Sequence, residues 1–279
     1  MPETGIDKAR VRRSFGRAAD SYDEVAVLQR VVGERMLERL DLVKLVPQTV
    51  LDLGCGTGLH TGALMQRYPR ARLLALDLAL PMLWRTRCRG RWLKRPRCLC
   101  GDMERLPLAD GSLDLVWSNL AFQWSTEPLA LYRECRRVLR PGGLLMFTTF
   151  GPDTLKELRQ AWSEVDRFEH VSRFLDMHDL GDLLMQAGFA APVMDVDRMT
   201  LTYASVDDLM RDLKQLGAHN AATGRERALT GKARLEAMRR AYEKFRRQGV
   251  LPASHEVVYG HAWAPSAGSR AIPFSGNIR

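Results

Sequence analysis

The apolar positions of this chain change period as it is read. Between residues 14 and 42, Phe15, Ala18, Ala19 and Tyr22, then Val27, Leu28, Val31, Val32, Met36, Leu37 and Leu40, recur with the spacing of one helical face. Short runs that are apolar throughout come next. TVLDLG (49–54), RLLALDL (72–78), RCLCGD (97–102), SLDLVWSN (112–119) and LLMFTTF (144–150) read as strands. LHTGALMQRY (59–68), PMLWRTRC (81–88) and PLALYRECRRVLR (128–140) read as helices, the last stopped by Pro141-Gly142-Gly143. Strands apolar on both faces, alternating with helices, predict an α/β fold with a parallel sheet covered on both sides.

The second half is patterned differently. Helices are predicted over 154–165, 180–189, 205–217 and 232–247, with strands over 193–203 and 255–264. Ser205 followed by two aspartates is a good helix start. The late strands leave room between them for a helical insertion at 205–250. One domain is expected over 14–265, with a cap helix region at 14–48 and a core at 49–150. Residues 1–13 read as a loose basic tail and 266–279 as a disordered one.

Composition narrows the class. The 279 residues are 46 % apolar, enough for a sizeable core. No run approaches the ~18 apolar residues of a membrane span, and the start has no apolar signal region. Five cysteines without framework spacing suggest reduced thiols in a cytoplasmic protein. Cys98 and Cys100 do not form a C-x-x-C metal hook, so no structural metal is expected. A net charge of +9 points to an acidic partner, either nucleic acid or an acidic protein.

The chemistry gathers around Gly54-x-Gly56-x-Gly58, between a strand ending near Asp52 and a helix. Glycine allows positive φ and removes the Cβ that would keep a ligand from the backbone. The nicotinamide fingerprint does not fit, because Leu59 follows Gly58. A P-loop is excluded because no Gly-Lys-Ser/Thr follows. The pattern suits a ligand without a pyrophosphate. Asp77 ends the second strand, where a carboxylate can accept both hydroxyls of a ribose. Asp102 ends the third.

With NLAFQW (119–124) and PGGLL (141–145), these motifs resemble the class I S-adenosylmethionine-dependent methyltransferases over about residues 14–150. The resemblance implies a Rossmann-like, seven-stranded, mostly parallel sheet with helices on both faces and an insertion before the last strand. It implies S-adenosylmethionine as cofactor and S-adenosylhomocysteine as product, with no metal. By the same analogy Asp77 and Leu78 hold the ribose, and Asp102 and Met103 lie beside the adenine. Asp52, Gly54, Cys55, Gly56 and Gly58 back the methionine part, Asn119 closes the pocket near the sulfonium, and Met82 adds to its wall. The alternative for Asp52 or Asp102 is a helix or turn cap. FGRAADSY (15–22) resembles a helix of that superfamily that folds over the cofactor, with Phe15 and Tyr22 reaching inward.

GPDTLKELRQAW (151–162), HNAATGRERALTGK (219–232), AYEKFR (241–246) and EVVYGHAWAP (256–265) resemble a narrower family, the malonyl-acyl-carrier-protein O-methyltransferases of biotin synthesis. That resemblance runs from Phe15 to Pro265. It implies methylation of the free carboxylate of a malonyl thioester on acyl carrier protein. A carboxylate with a pKa near ~4 is already a nucleophile, so no general base is assigned to His60, His178 or His219. Arg225 and Lys232 are candidates to orient the malonyl carboxylate. His219 and Asn220 either bond the thioester or cap a helix. Trp124 either walls the acceptor channel or packs in the core. Other small-carboxylate methyltransferases, and non-methylating relatives, would carry the same glycine loop.

The carrier protein is expected to dock on Arg10, Arg12, Arg13, Arg17, Lys214, Arg225, Arg227, Lys232 and Arg234. The denser basic run at 85–97 is expected on the side away from the sulfonium. Nucleic acid is not the favoured partner, membrane association is not expected, and the chain is expected to act as a monomer.

Overall fold

The apolar runs become one seven-stranded sheet because none can bury both its faces alone. The computed structural model describes residues 5–90, 94–218, 221 and 230–266. The strands are β1 (Thr49–Leu53), β2 (Arg72–Asp77), β3 (Arg97–Cys100), β4 (Leu113–Ser118), β5 (Leu139–Phe150), β6 (Ala190–Tyr203) and β7 (Leu251–Trp263). Their order is β3-β2-β1-β4-β5-β7-β6. The first five are parallel, and β7 runs antiparallel between β5 and β6. The sheet is therefore mostly parallel, as the sequence predicts.

Alternation of side chains sorts the core onto two faces. Leu51, Leu53, Leu74, Leu76, Val116, Leu145 and Phe147 pack against α6 (Pro128–Val138) and α8 (Met177–Gln186). Their alternating neighbours Val50, Leu73, Leu115, Trp117, Leu144 and Met146 pack against α3 (Val27–Arg39) and α4 (Thr61–Arg67). A separate cluster joins α7 (Lys156–Ser163), α9 (Val206–Gln215) and α10 (Lys232–Glu243) to Leu251 and Ala253 at the start of β7. Ser205 caps α9 in a capping box with Asp208.

Three expectations change. The segment read as a loose tail is helical from Lys8: α1 (Lys8–Ala18) is N-capped by Asp7 and buries Val11 and Ala18. The helical stretch after it is broken into α1, the single turn α2 (Tyr22–Val25) and α3. And β5 begins at Leu139, five residues early, because Leu139 already pairs with Leu113 and the Pro-Gly-Gly segment is carried as an irregularity with Gly142 at φ +78°. The expected C-terminal disorder falls outside the described residues. Among those described, no helix is long and apolar enough to cross a membrane.

This order places the ligand edge. The strand sequence reverses between β1 and β4, so the connections leaving their C-terminal ends diverge and open a crevice. The glycine loop follows β1, Asp77 ends β2, and Asn119 follows β4. With α5 (Leu80–Arg87), these are the walls of the site.

Candidate active site

Beyond Leu53 the chain turns through Gly54, Gly56 and Gly58 at φ +73°, +55° and +76°. A Cβ on Gly54 would overlap that of Ala121, and one on Gly56 would come only within 3.9 Å of the Tyr22 ring. Gly56 is thus the open floor of the loop. Gly58 serves a different need: a Cβ there would lie 2.8 Å from Thr86 Cγ2 and 2.9 Å from its Cα. The third glycine lets α5 pack on the loop. Asp77 fixes the loop's shape, since its Oδ2 accepts from the Gly56 N–H at 2.9 Å and its Oδ1 from the Ala79 N–H at 2.8 Å. Gly54→Ala is expected to cost well over 1 kcal/mol of stability, from strained φ plus overlap, and to abolish cofactor binding. Thermal melts and calorimetry check both.

Phe15, Tyr22, Gly54, Gly56, Asp77, Leu78, Asp102, Met103 and Asn119 line one narrow cleft together. Asp52 and Cys55 line a smaller pocket beside it, which shares Tyr22, Gly54, Gly56 and Asn119. The Cys55 side chain packs with Ala75, Leu83 and Cys98, and burial pushes its thiol pKa up. Gly58 and Met82 line neither space. Met82 is buried beneath α1 with Ala19 and Ala79, supporting Phe15 and Tyr22 from below.

The sequence reading missed what α1 brings. Lys8, Val11 and Arg12 also line the cleft. Lys8 Nζ lies 2.6 Å from Asp102 Oδ2 and also pairs with Glu104. Glu104 takes hydrogen bonds from Ser125, Thr126 and the Glu127 N–H. Burial opposes its ionisation, but Lys8 and these donors hold its carboxyl down at about 2. Asp102 is therefore partly a docking point for α1.

The basic end of α5 is not on the far side. Arg85 pairs with Asp20 and Arg89 with Asp23. Arg89 Nε also donates to the Thr57 carbonyl at 3.0 Å, and Thr57 Oγ1 to Asp23 at 2.5 Å. These arginines clamp the turn around Tyr22 over the glycine loop. The helix is only eight residues long, too short to carry its end to the opposite edge.

Electrostatics favour a cationic ligand. Asp52 is 1 % exposed, and its Oδ2 accepts from Thr61 Oγ1 at 2.5 Å. Burial, with the negative charge of Asp77 adding, pushes its carboxyl up to about 7. Burial also raises Asp77, although the backbone N–H groups of Ala79 and Gly56 oppose it. Among the described residues neither carboxylate forms an ion pair. One buried and one half-buried carboxylate, without a cation among the described residues and beside a glycine floor open at Gly56, suit a ligand with hydroxyls and a positive centre.

A larger cavity of about 740 Å³ adjoins the cleft. Trp124 is in the wall of both, and its ring meets that of Phe15 edge-on at 5.3 Å. Gln29 lines both this chamber and the Asp52 pocket. Lys232 opens α10 exposed and is not in the wall. Arg225, Arg227, His219 and Asn220 lie outside the described residues. Arg10 and Lys214 do line the chamber, whereas Arg234 pairs with Asp166 at 3.3 Å.

Sequence reasoning also missed His170, which no motif marks. Its ring stacks on Trp162 at 3.7 Å and its Nε2 lies 2.8 Å from Asp166 Oδ1, all in or behind the chamber wall. His60 lines the Asp52 pocket rather than the chamber, packed on Trp117, and burial pushes it down to about 4. His178 is exposed on α8.

Comparison with known proteins identifies the chain's relatives. The family model "Methyltransferase domain" matches residues 51–147. A Methylovorus protein named malonyl-[acyl-carrier protein] O-methyltransferase is 56 % identical over 268 residues, 94 % of this chain and 90 % of that one. The chain belongs to the malonyl-[acyl-carrier protein] O-methyltransferase family. A member from Laribacter hongkongensis is 54 % identical, covering 95 % of this chain and 92 % of its own. The family's fold recurs in solved structures. A Thermotoga maritima SAM-dependent methyltransferase is 17 % identical with a TM-score of 0.54, covering 91 % of this chain and 99 % of its own. A Haemonchus contortus phosphoethanolamine N-methyltransferase, solved with S-adenosylhomocysteine, is 16 % identical with a TM-score of 0.55, covering 90 % and 58 %. The family and the fold together make this chain an S-adenosylmethionine-dependent O-methyltransferase.

Proposed function

We propose that the chain methylates the free carboxylate of a malonyl thioester borne by acyl carrier protein, giving the methyl ester that starts the pimeloyl part of biotin. S-adenosylmethionine supplies the methyl group, leaves as S-adenosylhomocysteine, and no metal takes part. The observation that carries this reading is the pair of spaces meeting at Trp124: a carboxylate-lined cleft, and a chamber roomy enough for an acyl arm.

Each residue's part follows from its place. Asp77 takes the ribose hydroxyls. Asp102 and Met103 border the adenine. Tyr22, Gln29, Asp52 and Asn119 surround the methionine end. Trp124 and the apolar wall of the chamber exclude water around the acceptor. Ionised at pH 7, the acceptor needs in-line positioning rather than deprotonation. The acidic carrier meets a chain of net charge +9. Lys214, exposed on α9 at the chamber wall, belongs to the docking face.

Transfer of labelled methyl to malonyl-acyl carrier protein, measured against malonate, aconitate and the unacylated carrier, tests the reading. Label appearing equally on free small acids would point to a different acceptor. At saturating cofactor and acceptor, kcat is expected to be flat from about pH 6 to 8, because the nucleophile is already ionised. A kcat climbing with a histidine-like pKa would contradict it and direct attention to His170 or His219.

A further inference from the structure

Three buried polar atoms that have no partner among the described residues belong to residues lining the 740 Å³ chamber: Arg10 Nε, Gln29 Oε1 and Gln123 Oε1. Unsatisfied buried groups are costly, and a cluster of them around one cavity marks where a ligand's polar atoms go. The three are not equivalent. Gln123 Nε2 already donates to the Leu120 carbonyl at 2.6 Å, leaving its oxygen as an acceptor. Such an oxygen repels a carboxylate and suits an amide N–H, of which a pantetheine arm has two. Arg10 alone of the three offers a charged donor.

Its setting leaves that charge available. The Arg10 backbone N–H donates to the capping Asp7 carboxylate at 2.9 Å, but among the described residues its guanidinium is in no ion pair. The two carboxylates lining the chamber are engaged elsewhere: Glu169 with Arg173 at 3.6 Å, and Asp212 with the Tyr203 hydroxyl. The chamber's other cation, Lys214, is exposed. Arg10 also sits on the helix whose Lys8, Val11, Arg12 and Phe15 line the cofactor cleft. Its position is therefore tied to that of the methyl donor.

We infer that Arg10 grips the malonyl carboxylate inside the chamber and sets the specificity for a charged acyl end; this rests on the malonyl-thioester reading above. A guanidinium fork can hold the carboxylate while one oxygen lone pair stays free. That oxygen forms the new O–C bond as the C–S bond breaks; the bonding pair stays on sulfur, and no proton moves. The ester that results is neutral and loses the ion pair. Arg10 thus favours substrate over product, and malonyl over uncharged acyl thioesters.

The test uses the full chain with Arg10→Gln and Arg10→Lys, malonyl-pantetheine, and its methyl ester as competitor. R10Q should raise KM for the malonyl thioester about a hundredfold, the scale of one charge-assisted pair. R10K should recover part of it. Calorimetric affinity for S-adenosylhomocysteine should stay within about twofold, and inhibition by the methyl ester should not change. An R10Q variant with wild-type KM, or one that loses malonyl and methyl-ester thioesters alike, overturns the inference while leaving the proposed activity standing. Loss of both cofactor affinity and Tm in the two variants would make Arg10 a structural residue and overturn it too. A wild-type protein that binds cofactor but leaves malonyl thioesters unmethylated would sink the activity and the inference together.

Discussion

Replacing Asp77 with alanine is expected to weaken S-adenosylmethionine binding by about 3 kcal/mol, more than a hundredfold. The carboxylate does two jobs in one place. It holds the glycine floor through the Gly56 N–H and the start of α5 through the Ala79 N–H. It also has lone pairs left for the two ribose hydroxyls assigned to it. Asp77→Asn separates these jobs. Its amide oxygen replaces one acceptor, so the loop keeps one of its two bonds while the charge on the ribose is lost. Titration calorimetry with thermal melts reads both. Unchanged affinity in Asp77→Ala would remove the residue from the ribose site and call the loop assignment into question.

Asp52→Asn should act in opposite directions on stability and on binding. Asp52 faces Thr61, Tyr22, His60, Cys55 and Asp77, with no cation among the described residues. Its folded pKa, about 7, lies well above the ~4 of an ordinary aspartate. The folded state therefore keeps a proton that the unfolded state has already lost. Stability falls as pH rises from about 4 to 7, and the full cost, on the order of 4 kcal/mol, remains above that. Removing the carboxylate should raise Tm at pH 8 by several degrees and leave it nearly unchanged near pH 4. A positively charged cofactor gains from the ionised form. The wild-type preference for S-adenosylmethionine over S-adenosylhomocysteine, which lacks the sulfonium charge, should therefore grow between pH 6 and 8. In the asparagine variant the ratio should be smaller and flat. Equal pH profiles for the two proteins would place Asp52 outside the reach of the sulfonium.

The cofactor half of the molecule was legible because its signals are local. β1, the glycine loop, Asp77 and Asn119 each sit at the end of an apolar run, and the parallel topology brings those ends to one edge. α1 was harder. KARVRR reads as a charged tail, yet Val11, Phe15 and Ala18 share a face at helical spacing, and Asp7 stands at the cap. The early start of β5 was hidden because Pro-Gly-Gly is a strong stop signal that a strand edge can absorb. The acceptor chamber left almost no trace. Arg10, Gln29, Gln123, Trp162 and His170 come from five separate segments and meet only through the packing of α7, α9 and β6 against the N-terminal helices. The expectation that the basic run at 85–97 lies away from the sulfonium failed for Arg85 and Arg89 on a magnitude. Eight residues rise about 12 Å, which leaves Arg89 beside Thr57 rather than across the sheet.

Helix α1 carries one further consequence. It borders the candidate cofactor cleft through Lys8, Val11, Arg12 and Phe15, and the larger chamber through Arg10. A ligand in either space would draw on the same helix for its contacts. The two sites are then expected to be linked, and reciprocity requires each ligand to change the other's affinity by the same factor. Titrating one ligand with the other bound reads that coupling, which is expected to be equal in both directions.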